Sequence, residues 1–117
     1  MALALTTQIG TSPASAIYTC TTSGSQIGTA ITTIMVCNTS SSTTANLTLY
    51  AVPSSGGAGT SIGTAANANM IVNALPIPPN ETVSFDQEKL VLGPYDSIQA
   101  FSSVATTLSI TISTLPV

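Results

Sequence analysis

Histidine and tryptophan are absent from this chain, and one lysine, Lys89, carries all of its positive side-chain charge. Without histidine, the commonest general base and the commonest neutral metal ligand are missing. One lysine and no arginine cannot neutralise several phosphates or read guanine edges, which argues against nucleic acid as a direct partner. No apolar run approaches the roughly 20 residues of a spanning helix and no basic amphipathic helix is present, so no membrane partner is expected. The opening Met1-Ala2-Leu3-Ala4-Leu5-Thr6-Thr7 lacks the basic segment and apolar length of a signal peptide. It reads as a terminus made in the cytoplasm.

Charge of either sign is scarce. Glu81, Asp86, Glu88, Lys89 and Asp96 are the only charged side chains, and all lie between Glu81 and Ala100. An average globular chain has about 25% charged residues. The remainder is not that of a disordered chain, because 44% of residues are apolar. Serine and threonine fill the polar positions, 16 and 20 residues, together 36 of 117. Threonine is β-branched and favours extended backbone, so the expected surface is one of hydroxyl groups. A surface with so little charge has weak protection against association, which points to a protein that works in an assembly.

A chain of 117 residues fits one domain with one core. Short strand-like runs recur along it, and no run shows capped 3.6-residue periodicity. Residues 1–14 contain the alternation Leu3, Leu5, Thr7, Ile9, which suits an edge strand or an N-terminal arm pairing with a neighbouring subunit. Extended runs follow at Ala16–Thr21, at Ala30–Asn38 (apolar on both faces at its end, as in a central strand) and at Ala45–Pro53. In the last of these, Leu47, Leu49 and Ala51 are expected on one face and Thr48, Tyr50 and Val52 on the other. Residues 53–69 form a Gly/Ser-rich stretch with four of the eight glycines, read as an adaptable loop and a candidate contact surface.

Met70–Leu75 is the next strand, and Pro76 to Asn80 form a turn. Glu81–Ala100 reads as strand, turn, strand, turn, strand, with Gly93-Pro94 as its sharpest break. Val83, Phe85, Leu90, Leu92 and Ile98 are its expected core residues. Thr107–Thr114 alternates Leu108, Ile110 and Ile112 with Ser109, Thr111 and Ser113. The fold expected is all-β, a single antiparallel β-sandwich of eight or nine strands, either jelly-roll or immunoglobulin-like.

Few groups could carry chemistry. Gly59-Thr60-Ser61-Ile62-Gly63 matches the Gly-x-Ser-x-Gly elbow, but it lies in a Gly/Ser loop and no histidine exists to take the serine proton. Asp86 and Glu88 share a face if extended, and Asp96 could approach them across a hairpin. Three carboxylates could hold Ca²⁺ with help from backbone carbonyls, or they could fix turns and pair with Lys89. The turn-fixing role is the expected one, with no catalytic, cofactor-binding or metal-ligating residue assigned. Cys20 and Cys37 could pair by number; without an export signal, reduced thiols are expected. Asn38-Thr39-Ser40, Asn46-Leu47-Thr48 and Asn80-Glu81-Thr82 match the glycosylation pattern, which a threonine-rich chain meets by chance.

Tyr50-Ala51-Val52-Pro53, the Cys37-Asn38-Thr39-Ser40 loop and Phe85-Asp86-x-Glu88-Lys89-Leu90-Val91-Leu92-x-x-x-Asp96-Ser97-Ile98-Gln99-Ala100 carry a resemblance. With them the chain, from about Ile31 to Ile112, resembles small β-sandwich virion proteins of tailed bacteriophages. The segment Ser54–Asn69 is longer than the family pattern, so no contact is carried over to it. The resemblance implies a capsid decoration (cement) protein clamping adjacent major capsid subunits, homo-oligomeric with a trimer favoured, and located in the virion. It also implies free edges or arms for strand addition. A neck, tail or baseplate component of the same particle is the alternative. A carbohydrate-binding sandwich is a further one, weakened by the scarcity of aromatic rings.

Overall fold

Among the described residues, nine strands form two antiparallel sheets packed face to face. The computed structural model describes residues 2–21, 28–55, 61–85 and 90–117, with side chains from Thr7 onward. The strands are β1 (Ala2–Gln8), β2 (Ser15–Thr19), β3 (Thr29–Asn38), β4 (Ala45–Val52), β5 (Met70–Ile77), β6 (Thr82–Phe85), β7 (Leu90–Leu92), β8 (Ser97–Ser102) and β9 (Leu108–Pro116). One sheet, called A here, runs β1-β9-β3-β6, with β7 also on β3; sheet B runs β2-β8-β4-β5.

The pairings are nested. β1 pairs with β9, β2 with β8, β3 with β6 and β7 in turn, and β4 with β5. β6 and β7 therefore act as two halves of one interrupted strand. Such a nested hairpin, rolled so that β9 also meets β3 and β8 also meets β4, is a jelly roll. An immunoglobulin-like sandwich does not nest its strands in this way. The strand order thus decides between the two sandwiches that the sequence leaves open.

Alternation within the strands builds the core. Ile31, Ile34 and Val36 of β3 and Leu108, Ile110 and Ile112 of β9 point inward from sheet A. Leu47 and Leu49 of β4, Ile77 of β5 and Ile98 and Ala100 of β8 meet them from sheet B. Each fully buried Ile or Leu contributes roughly 1.5–3 kcal/mol by leaving water. Val83, Phe85 and Leu90 only pack against this core, partly buried. They belong to the side of the sandwich where β5 and β6/β7 form the outer strands.

Two ends of the roll are fixed by polar knots. At one end, Asn38 is buried, and its Nδ2 donates to the carbonyls of Thr43 and Ile77 at 2.8 Å each. Its Oδ1 accepts from the Ser40 N–H at 2.9 Å. The backbone adds Asn38 N–H to Glu81 O and Asn80 N–H to Ser40 O, so the β3–β4 and β5–β6 connections lock together. At the other end, the Cys20 N–H bonds Asp96 O and the Tyr95 N–H bonds Cys20 O, while Gly28 and Val117 exchange both backbone bonds. No buried side-chain nitrogen or oxygen among the described residues lacks a partner.

Sheet B departs from the simple alternation expected of β4. Thr48, Tyr50, Val52, Ser97 and Gln99 are buried along with the inward residues, so most of β4 and β8 is covered on both faces. Part of the cover is the chain's own β4–β5 connection. Ser61 bridges back to Ser55, Gly63 O accepts from Gln99 Nε2 at 2.9 Å, and a 3-10 turn at Asn67–Asn69 lies against β4. The Gly/Ser-rich stretch read as an adaptable loop is therefore, over Ser61–Asn69, a packed cover; residues 56–60 lie outside the described residues. β5 also runs to Ile77 rather than ending at Leu75. Pro76 fits there because β5 is an edge strand.

The edges are broken rather than open. β1 and β2 each carry a register shift, β5 carries two and holds Ala74 at φ 50°, and β6 and β7 are four and three residues long. Bulges, proline and short strands are the devices that discourage pairing with another chain. Among the described residues β1, β2, β5 and β6/β7 are the edge strands, and their irregularities make them poor templates for strand addition. Of the two readings of residues 1–14, an edge strand or an arm, Ala2–Gln8 form the edge strand of sheet A.

Candidate functional site

Asp96 is the one member of the acidic trio that can be placed; Asp86, Glu88 and the neighbouring Lys89 lie outside the described residues. It closes the Gly93–Asp96 turn between β7 and β8. Its Oδ2 accepts from the Gly93 N–H at 2.9 Å and its Oδ1 from the Ser54 N–H at 2.8 Å. Both oxygens are thus engaged by backbone donors from two connections, and the adjacent Tyr95 sits at φ 62°. That is the work of a turn residue, and it leaves the carboxylate poorly placed to ligate an ion. Among the described residues no group of three or more His, Cys, Asp or Glu side chains comes together. Charge-assisted bonds of this kind are worth about 1.5–3 kcal/mol each. Asp96→Ala is expected to lower unfolding free energy by about 3 kcal/mol in urea titration. Added EDTA is expected to leave the thermal midpoint of the wild-type chain unchanged. A fall in EDTA that Ca²⁺ restores would instead establish a calcium site.

The serine of the elbow-like motif is also structural. The Ser61 hydroxyl lies 3.3 Å from that of Ser55 and donates to the Ser55 carbonyl at 3.4 Å; no helix follows it. Gly59 and Thr60 lie outside the described residues. Cys20 and Cys37 are both free thiols. Cys20 is buried, its Sγ within 3.4 Å of Thr29 Oγ1 and of Leu92 O. Cys37 points outward from β3, opposite Ser109 and Thr82.

A cavity of about 350 Å³ opens between the sheets on the β5 and β6/β7 side. Its floor is Ile31, Ile34 and Leu49, and Val72, Phe85 and Leu90 form its walls. Ser84 supplies its only polar side chain among the described lining residues, with no acid or base beside it. A cavity lined by these described residues can take an apolar group. The aromatic rings do not form a platform either. Tyr50 is buried against Phe101, with ring centroids 6.3 Å apart, and of the five rings only Tyr95 is largely exposed.

The outer face of sheet A is the feature that sequence reading missed. Its outward residues include Thr82 and Ser84 of β6, Met35 and Cys37 of β3, and Ser109, Thr111 and Ser113 of β9. At one end Val91, Ala30 and Leu115 stand in a cross-strand row, with Val117 two residues beyond Leu115. Val91 is 67% exposed, and Met35, Leu115 and Val117 are each exposed by 45% or more. No strand of this sheet contains a charged residue. The alternation of β3 and β9 was readable, but only strand order reveals that Val91 and Leu115 flank the same residue.

Compared with known protein families, curated proteins and solved structures, the chain matches none. The class defined by fold and site together is a jelly-roll sandwich in which Asp96 and Ser61 are spent on turns and loops.

Proposed function

We propose that this chain is a non-enzymatic structural protein of a bacteriophage virion, a capsid decoration (cement) protein that clamps adjacent major capsid subunits as a homo-oligomer. The observation that carries the reading is where the chemistry-bearing residues go. Asp96 and Ser61 are absorbed into turns, and what remains outward on sheet A is an uncharged surface of hydroxyls and a few apolar side chains. Such a surface suits wet, hydrogen-bonded contacts repeated over many copies, where small gains per contact accumulate. Jelly-roll sandwiches also recur in viral capsid domains, which supports the reading at the level of fold alone. The resemblance over Ile31–Ile112 points the same way. Because the edges are broken, the clamp would act through faces and loops rather than by adding strands.

The test is the number of copies in purified particles. Hundreds of copies on the head, lost together with resistance of the head to heat, are expected. A handful of copies confined to the neck or tail would overturn the decoration reading in favour of a connector or baseplate part.

A further inference from the structure

We propose that the outer face of sheet A is a self-association surface on which a second copy of this chain packs, sheet against sheet. The proposal deepens the homo-oligomeric part of the reading above and rests on it, while attachment to a particle is a separate matter. Three observations select the face and its occupant.

The first is charge. β1, β9, β3, β6 and β7, like the strands of sheet B, contain no charged residue, so packing their residues against another such face desolvates no ion within a strand. The partner best matched to a charge-free face is another charge-free face, and this chain supplies one in every copy. The second is asymmetry. Sheet B has part of its outer face covered by the chain's own residues 61–69, tied down by the Gln99 to Gly63 bond. Four of the seven large exposed apolar side chains, Met35, Val91, Leu115 and Val117, lie instead on the outer face of sheet A.

The third is size. Four strands at about 4.8 Å spacing and roughly 30 Å of strand length give a face of about 600 Å². Two copies would bury about 1,200 Å², the lower end of stable interfaces.

A two-fold axis lying in the interface along the strands would set the Val91–Ala30–Leu115 row of one copy against that of the other. With that axis over β3, the hydroxyls of Ser109 and Thr111 would face those of Thr82 and Ser84 of the second copy, directly or through water. A contact of this kind closes on itself, so any larger assembly uses other surfaces.

Sedimentation of the purified chain between 1 and 100 µM (a range chosen for weak dimers of this area) tests the idea. The wild type is expected to dimerise, and Leu115→Glu and Val91→Glu each to weaken dimerisation at least tenfold. Both positions are exposed, so an unchanged circular dichroism spectrum is expected for the variants. In a Cys37→Ser background, Met35→Cys, which the axis sets against its own copy, is expected to give covalent dimers under mild oxidation, and Thr43→Cys none. A wild type that stays monomeric, or a dimer indifferent to both glutamates, overturns the proposal. A monomer that still decorates particles would overturn it while leaving the virion reading intact.

Discussion

Asn38→Ala is expected to lose about 4 kcal/mol of unfolding free energy, among the largest effects of any single polar substitution in this chain. The side chain is 1% exposed and makes three bonds to backbone groups of Ser40, Thr43 and Ile77. Removing it leaves two carbonyls and one N–H without their partner, and each such buried group costs about 1–3 kcal/mol unless water reaches it. For a domain of this size the midpoint of thermal unfolding should fall by roughly 15 °C. Asn38→Asp separates hydrogen bonding from packing. It keeps the shape and the acceptor, but sets a carboxylate oxygen where the amide nitrogen faced two carbonyls. If the hydrogen bonds matter, Asp should be at least as damaging as Ala. A nearly neutral Asp, in calorimetry at pH 7, would show that the residue merely fills space.

Gly63→Ala should be nearly as costly, for a different reason. A Cβ at this position would fall on the Pro53 carbonyl oxygen and stand 3.0 Å from Val52 Cγ1. Backbone oxygen cannot swing aside, so the 61–66 segment must lift. Overpacking of this kind costs up to about 3 kcal/mol. The shift would also release Gln99 Nε2 from Gly63 O, uncovering the outer face of sheet B near Tyr50 and Phe101. New protease cleavage within 61–69 and a loss of near-ultraviolet tyrosine dichroism are the expected signatures. Gln99→Ala should reproduce them more weakly. The double variant should cost less than the sum of the two, because both remove one contact. Additive losses together with intact dichroism would show that this segment is not the cover described here.

Local pattern alone carried much of this protein. Period-2 alternation in Leu108–Ser113 predicts the inward and outward faces of β9, because each side chain's direction is fixed by the pleat and by nothing distant. The run Ala30–Asn38, apolar on both faces toward its end, predicts a central strand, and it lies between β9 and β6/β7. Absence of histidine and arginine is likewise complete in the sequence and needs no fold to be read. The same holds for the turn role of Asp96, whose short carboxylate can reach backbone N–H groups close to it in the chain.

Other features were illegible for equally definite reasons. Thr48 lies on the face of β4 opposite Leu47, yet it is buried and accepts from the Ala74 N–H of β5, while the 61–69 segment lies over Gln99 through Gly63. A Gly/Ser-rich composition says that a stretch can bend, not what it will lie against. The choice of a jelly roll depends on which strand pairs with which, and the alternation within strands is the same in either sandwich. The Val91–Ala30–Leu115 row joins residues 61 and 85 positions apart from the one between them, a relation that only register establishes. Sequence by itself therefore determined a charge-poor, hydroxyl-surfaced chain of short strands. The tertiary structure decided how those strands nest, which face the chain covers for itself and which it leaves bare. Composition and pleat are local properties, whereas nesting and cover depend on contacts across the whole chain.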